Sequence, residues 1–427
     1  DADSMFNPDV ISPALEQMAS EGTCFTNCHC SSQPCVPSRA SLLTGLYPEV
    51  HGLWDNDYIL PESMFTWPQH LSENGYQTIA VGRTHNINKG FDRNITVPAV
   101  NSYPMNNHDL KLQVHWREDA FIHPSEAAFE DYYETRITKT AIDFLQQLKR
   151  TEAPFALYVG FCAPHTPLTP PAELWDLYNE EAFSMGDEAL PPGDLQQWSN
   201  GEKMINVTEE RHRRILHGYY AAVSTIDRCI GMLKRALEEL GLAEDTLLVY
   251  TSDHGEQLGH RRLYGKGYGY DPSLKVPLLM SCPGIVPEDN LNRMMLEHID
   301  LVPTMLDAIG VPPMPCSGHS FWQSLTAGAE QHRDWIYSSW DKGQIFKDEK
   351  YKWICRKDHK GGILDEIYDI SETPREQYEV ADKQIRENVK SFFTERYHKF
   401  SMEHFRSNVK DYSPQSVQPP LRPFLST

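Results

Sequence analysis

A cysteine, a proline and an arginine open the stretch of this chain richest in possible chemistry, Cys35-Val36-Pro37-Ser38-Arg39-Ala40-Ser41-Leu42-Leu43-Thr44-Gly45. Pro37 restricts Val36 to extended backbone and donates no hydrogen bond, so Cys35 is expected in a fixed turn. Ser38 can cap a helix running through Ser41 to Leu43, which Gly45 can stop. The free N–H groups and dipole of a helix start favour an anion, and Arg39 adds positive charge one turn away. A nucleophile in that setting suits attack on a sulfate or phosphate ester. The Cys-x3-Arg spacing departs from the Cys-x5-Arg of thiol phosphatases and argues against that chemistry. For an isolated Cys-x-Pro-Ser-Arg, a loop-to-helix junction with a buried cysteine competes.

Three further clusters each follow an apolar run. Residues 77–82 lead into Arg83-Thr84-His85, residues 155–162 into Pro164-His165-Thr166-Pro167, and residues 246–251 into Ser252-Asp253-His254-Gly255. The runs read as buried strands. In an open parallel sheet, ligands sit beyond the carboxyl ends of the strands. Alone, an Asp-His pair or a histidine between prolines is more often a structural turn. Together, and beside Cys35, they point to a catalytic cleft.

Helical patterns separate the strands. One starts at Ser12-Pro13 and ends at Gly22, with Leu15, Met18 and Ala19 on one face; others span 132–150, 208–240 before Gly241, and 300–309 before Gly310. This alternation predicts an α/β fold with a mainly parallel central sheet sandwiched by helices. Beyond about residue 325, short strands at 335–340, 351–356 and 363–368, followed by a helix at 383–399, predict a small antiparallel α+β subdomain. The expected division is a catalytic part at 1–325 and a C-terminal part at 326–427, with an extended proline-rich tail from Tyr412.

The run from Cys35 to Gly45 resembles the type I sulfatase signature Cys-x-Pro-Ser-Arg-x-x-x-Leu-Thr-Gly, and matches it at every specified position. The resemblance continues in order through Pro164-His165-Thr166-Pro167, Ser252-Asp253-His254-Gly255, Gly265-Lys266, Lys275-Val276-Pro277, the segment 298–304 and Tyr368-Asp369. It implies an alkaline-phosphatase-like fold and hydrolysis of a sulfate ester, with a sulfated carbohydrate favoured by analogy. It also implies that a maturation enzyme oxidises Cys35 to formylglycine, whose hydrated aldehyde is the nucleophile. Carried over by position, Asp253 and His254 would ligate calcium and Arg39 would hold the formylglycine. Lys266, His85 and His165 would contact the sulfate, with His165 or Lys266 protonating the leaving alcohol and His85 assisting sulfate expulsion. Histidine is an unusual ligand for a hard cation. A related reading is a phosphonate monoester or phosphodiester hydrolase with the same modified cysteine, and a third is a degenerate, non-catalytic member.

Two departures stand out. The family's Gly-Lys-x-His is here Gly82-Arg83-Thr84-His85; arginine keeps an anion-binding charge but differs in reach and geometry. Family members also open with a buried strand ending in an acidic pair of metal ligands, whereas no apolar strand precedes Asp1-Ala2-Asp3-Ser4-Met5. The first central strand is therefore expected to lie upstream, with Asp1 and Asp3 as weaker substitutes for its ligands.

Composition bounds the partners. A net charge of −21 over 427 residues speaks against nucleic acid and anionic membrane. No apolar run approaches the roughly 18 residues of a membrane span. Nine cysteines form no recognisable disulfide framework, which leans towards a cytoplasmic location. Cys24, Cys28, Cys30 and Cys35 lack common zinc spacings and read as small buried residues. The stretches 86–131 and 168–207 read as loops walling a pocket. Trp54, Asp55, Asn56, His115 and Trp116 could touch a sugar but are equally ordinary loop packing.

Overall fold

The computed structural model describes residues 7–98 except 86, 122–183 except 152, and 208–408 except 358–361, 373–375 and 377, with the side chains of 262 and 404–408 also outside the description. Asp1, Asp3, His115, Trp116 and the tail from Tyr412 therefore lie outside the described residues. The principal elements, in chain order, are α1 (Pro13–Ser20), β1 (Thr23–His29), α2 (Cys35–Thr44), β2 (Gln77–Gly82), β3 (Arg93–Ile95), α3 (Tyr133–Thr151) and β4 (Phe155–Gly160). Then come α4 (Glu209–Glu239), β5 (Leu248–Thr251), β6 (Lys275–Ser281), β7 (Asn290–Asn292), β8 (Leu296–Glu297) and α5 (Leu301–Ala308). The chain closes with β9 (Ile336–Trp340), β10 (Gly343–Lys347), β11 (Tyr351–Lys357), β12 (Ile363–Asp369) and α6 (Lys383–Asn408).

Period-two patterning assigns the two faces of the strands that carry the site. Ile79, Val81, Leu157 and Val159 pack against α1, α3 and α4 through Met18, Ile137, Ile226 and Ile230. Ala80 and Tyr158 face α2 at Ala40 and Leu43, and Ala156 meets Val302 and Leu306 of α5. Helices thus cover both faces. Helix α1 starts at Pro13 directly after Ser12, as expected, although the Ser12 side chain makes no cap and the Leu15 amide donates to Asp227 Oδ1 of α4 at 2.8 Å.

The α/β class holds, but the central sheet is mixed rather than mainly parallel. β3-β2-β4 pair in parallel, whereas β5-β6-β1-β7 contains antiparallel β5–β6 and β6–β1 ladders, with β7 and β8 parallel to β1. The connection between β5 and β6 holds only single helical turns and no long helix to cross over the sheet, the usual link between parallel neighbours. β4 also stops two residues short of the expected 162. The amides of Cys162 and Ala163 are diverted to Glu134 Oε1 at 3.1 and 2.9 Å, so they are lost to a strand ladder.

β4 pairs only with β2 and β5 only with β6; among the described residues their other edges meet no strand. A cavity of about 1040 Å³ lies along both, walled by Leu157, Val159, Leu248, Tyr250, Leu233 and Val302, and it reaches Cys35. Every residue of β5 is only partly buried, which is unusual for an apolar strand in a domain centre.

The C-terminal sheet runs β9-β10-β11-β12, all antiparallel. It includes β10, a strand unforeseen in the sequence. Val389, Phe393 and Tyr397 of α6 cover it at Tyr337, Phe346 and Trp353. Cys24 lies in the core beneath α3 and α4, while Cys28 and Cys30 lie in the opposite one. They behave as buried thiols: burial alone pushes Cys24 up to about 12. Among the described residues no helix is long and apolar enough to cross a membrane.

Candidate active site

Cys35 is the first residue of α2, so the expected helix begins three residues earlier than Ser38. Pro37 then falls in the first turn, where its missing N–H leaves nothing unpaired. The Val36 amide donates to Asn56 Oδ1 at 2.9 Å, and Gly45, at φ 68°, ends the helix. Ser38 is not a cap; its hydroxyl donates to the carbonyl oxygen of Asp253 and ties α2 to the end of β5.

The three strand ends meet around this helix start. Arg83 N donates to Gly160 O at 2.7 Å, which joins the ends of β2 and β4. The approach requires glycine at both places: a Cβ on Gly160 would stand 2.0 Å from Arg83 O, and one on Gly82, at φ 91°, 2.3 Å from Gly160 O. Arg39 donates from Nε to Asp253 Oδ2 at 2.9 Å, and from Nη1 to Arg83 O at 3.1 Å and Tyr158 OH at 3.2 Å. His254 Nε2 lies 3.2 Å from Cys35 Sγ, and its Nδ1 donates to Gly255 O at 2.8 Å. His165, between two cis prolines, donates from Nδ1 to Thr166 O at 2.6 Å. Arg83 Nη2 is 2.8 Å from His85 Nε2. Cys35, Arg39, Arg83, His85, His165, Asp253, His254 and Lys266 all line the same cavity.

Electrostatics here favour anions. Burial works against the Cys35 thiolate, but Lys266 and His254 override it and hold the thiol well below its usual range. Burial likewise opposes the Asp253 carboxylate, yet Arg39, His254 and Lys266 keep it ionised far below the ordinary value. Desolvation would discharge Lys266; Cys35, Asp253 and Glu256 reverse that and raise it. His254 is raised against burial by Asp253. His165 goes the other way: burial, then Lys266, lower it to about 3, and it is neutral.

Sequence reasoning missed several members of the site. Glu256, one residue after Gly255, accepts from the Gly265 amide and so fixes the loop that carries Lys266. Tyr158 supports Arg39, and fully buried Glu134 anchors the backbone leading to His165. Glu134 was detectable: it shares a helical face with Ile137, Thr138 and Ala141, a place for a carboxylate only if something binds it.

Among the described residues, one group of potential metal donors emerges: Cys35, Asp253 and His254, whose ligand atoms lie within 4.8 Å of one another. The Gly255 carbonyl holds the proton of His254 on Nδ1 and leaves Nε2 for a metal. This set fits a divalent cation in part, with one carboxylate and one imidazole; a hard ion takes six or more oxygens.

Comparisons with known proteins agree with this geometry. The family profile described as Sulfatase matches residues 3–311, and one described as N-sulphoglucosamine sulphohydrolase, C-terminal, matches residues 259–403. An ulvan-active sulfatase of Formosa agariphila is 29% identical over 311 residues, 70% of this chain and 57% of its own length. Arylsulfatase K of Bos taurus is 26% identical over 420 residues, 87% of this chain and 74% of its own. The chain spans little more than half the length of the first of these relatives. A solved complex with D-glucosamine-2-N,6-O-disulfate superposes with a TM-score of 0.77 at 20% identity over 97% of each chain. A phosphonate monoester hydrolase from Silicibacter pomeroyi gives 0.79 at 20% identity over 96% of this chain and 94% of its own. Likeness at that identity shows the fold and nothing finer. With the sulfatase profile covering most of its length and the signature of that family at Cys35, the chain belongs to the sulfatase family, within the alkaline-phosphatase-like superfamily.

Proposed function

We propose that this protein hydrolyses a sulfate ester, that of a sulfated carbohydrate, with formylglycine formed from Cys35 and one calcium ion. The observation that carries the reading is the convergence of Arg39, Arg83, Lys266, His85, His165 and His254 on a cysteine at a helix N-terminus. In a molecule of net charge −21, that concentration of cationic and imidazole groups has a local purpose. The relatives named as acting on ulvan, choline sulfate and iduronate 2-sulfate supply the sulfate, and the first of them a polysaccharide.

Oxidised and hydrated, residue 35 would supply an oxygen nucleophile, and Asp253 and His254 would hold a divalent cation that would supply positive charge for the sulfate. The chain's own residues then have separable tasks. Arg39 orients Asp253 and, through Arg83 O, the end of β2. Lys266, kept protonated, stabilises the sulfate and gives a proton to the leaving alcohol. His165 fits that second task less well, because its Nδ1 proton is committed to Thr166 and the ring is neutral. Arg83 extends the positive wall. In this reading residues 1–325 form the catalytic part and 326–427 the C-terminal subdomain.

The test is to express the protein with the formylglycine-generating enzyme, identify residue 35 by peptide mass spectrometry, and compare an aryl sulfate, an aryl phosphonate and a panel of sulfated mono- and disaccharides. Aldehyde at residue 35 with turnover of the aryl sulfate and of at least one sugar sulfate is expected. Faster turnover of the phosphonate would move the assignment to the phosphonate hydrolases, and unmodified cysteine under these conditions would point to a non-catalytic member.

A further inference from the structure

Lys266 reaches Cys35, yet the loop that carries it has little of its own to hold it there. Gly265, Gly267 and Gly269 lie at φ 85°, 89° and 93°, so the chain takes a left-handed conformation on each side of Lys266. A Cβ on Gly265 or Gly267 would meet nothing within 4 Å, so among the described residues no neighbour packs on that side of either. A lysine carries its charge on a flexible four-carbon stem, and its aim depends on where its backbone is fixed.

The fixing points lie at the two ends of the loop. Gly265 is gripped on both backbone groups: Glu256 accepts from its amide, and Gln257 N donates to its carbonyl at 2.9 Å. The far end is held by Gln33, fully buried two residues ahead of Cys35. Gln33 Oε1 accepts from the Gly269 amide at 3.0 Å, and its Nε2 donates to Ser273 Oγ at 3.1 Å. A backbone amide only donates, so the atom facing Gly269 is the oxygen and the side chain has one orientation. Ser273 Oγ also accepts from Gln257 Nε2 at 2.7 Å and donates to Tyr270 O at 3.1 Å, which uses both of its lone pairs and its proton. One buried chain of hydrogen bonds thus joins the segment that carries residue 35 to both ends of the loop that carries Lys266. Glutamine is mostly exposed in proteins, and one buried with both polar atoms engaged is there for its bonds.

We propose that Gln33 is a positioning residue that sets the distance between Lys266 and residue 35 through Gly269 and Ser273, so that nucleophile and proton donor are held as one unit. The role given to Lys266 rests on the sulfatase reading above; the clamp itself does not. Without it, a lysine on a loop of glycines would spread over many positions, and misplacement of a reacting group by about 1 Å can cost roughly 10²-fold in rate.

The experiment uses the matured protein with Gln33→Met, which keeps the side chain's bulk and loses both bonds, alongside Lys266→Ala and the double variant. Because Gln33 stands close to residue 35, rates are referred to the formylglycine content read by peptide mass spectrometry. Gln33→Met should lower kcat on an alkyl or sugar sulfate by about tenfold or more, change 4-nitrophenyl sulfate far less, and cost little further once Lys266 is alanine. Amides of 265–270 should lose protection from hydrogen exchange in Gln33→Met while those of β1 and β6 keep theirs. Losses that add in the double variant, or faster exchange spread over the whole molecule, would make Gln33 a packing residue and overturn the proposal. Should Gln33→Met fail to fold, Ser273→Ala, which removes the hub and spares the Gly269 bond, should show a smaller loss of the same pattern. In the wild type the Gly269 amide should exchange more slowly than that of Gly267, and the reverse order overturns the proposal without any variant. A protein without sulfatase activity but with protection at 265–270 that depends on Gln33 would sink the functional reading and leave the clamp standing.

Discussion

Lys266 and His165 approach the same cavity but hold their protons differently, and the difference is environmental. Cys35 and Asp253 hold Lys266 charged against desolvation, while burial and Lys266 itself keep His165 neutral. If Lys266 protonates the leaving alcohol, Lys266→Ala should cost about 10²-fold or more in kcat on an alkyl or sugar sulfate and much less on 4-nitrophenyl sulfate, whose leaving group needs no proton. Equal losses on both would assign Lys266 to charge stabilisation alone. Glu134 offers a stability test free of substrate. Burial raises its carboxyl from 4.5 to about 7, so between those values the folded state binds more proton than the unfolded one. Its contribution is present in full below about pH 4.5 and is lost as pH rises through 7, by at most about 3 kcal/mol. Urea unfolding should show wild type losing stability relative to Glu134→Gln between pH 5 and pH 8; parallel pH profiles would refute this. Cys35, Arg39, His85, His165, Asp253, His254 and Lys266 were legible because motif spacing is local. Glu134, Glu256 and Tyr158 were not, since their roles depend on backbone groups that folding brings from elsewhere.

Among the elements, strands and long helices could be read from periodicity, while strand direction and the C-terminal sheet's attachment could not. β10, with a glycine at one end and Lys347 at the other, is too short and too polar at its ends to stand out. Lys347 and Lys352 are both buried. Asp271, five residues beyond Lys266, takes Lys347 Nζ at 2.6 Å and Lys352 Nζ at 2.7 Å, and Glu376 receives Lys352 and binds the Asp271 amide at 3.1 Å. His29 completes the cluster at 3.1 Å from Lys347 Nζ. The C-terminal sheet is thus pinned to the loop that carries Lys266. Lys352→Met would leave two carboxylates without their buried cation and should destabilise the fold by about 3–5 kcal/mol. Loss of under about 1 kcal/mol in denaturant unfolding would mean that solvent reaches the cluster.

At the scale of the whole molecule, the expected α/β class and the sulfatase resemblance carry through, and the mixed sheet exposes where the architecture is open. Among the described residues, β4 and β5 each present to one apolar cavity an edge that pairs with no strand, and such an edge in a domain centre exposes backbone N–H and C=O groups that a ladder would otherwise satisfy. Hydrogen exchange tests this opening. The amides of β4 and β5 that face the cavity should exchange much faster than those that face β2 and β6. Equally slow exchange of both sets at 155–160 and 248–251 would show that the cavity is closed to water and that those amides find partners outside the described ladders.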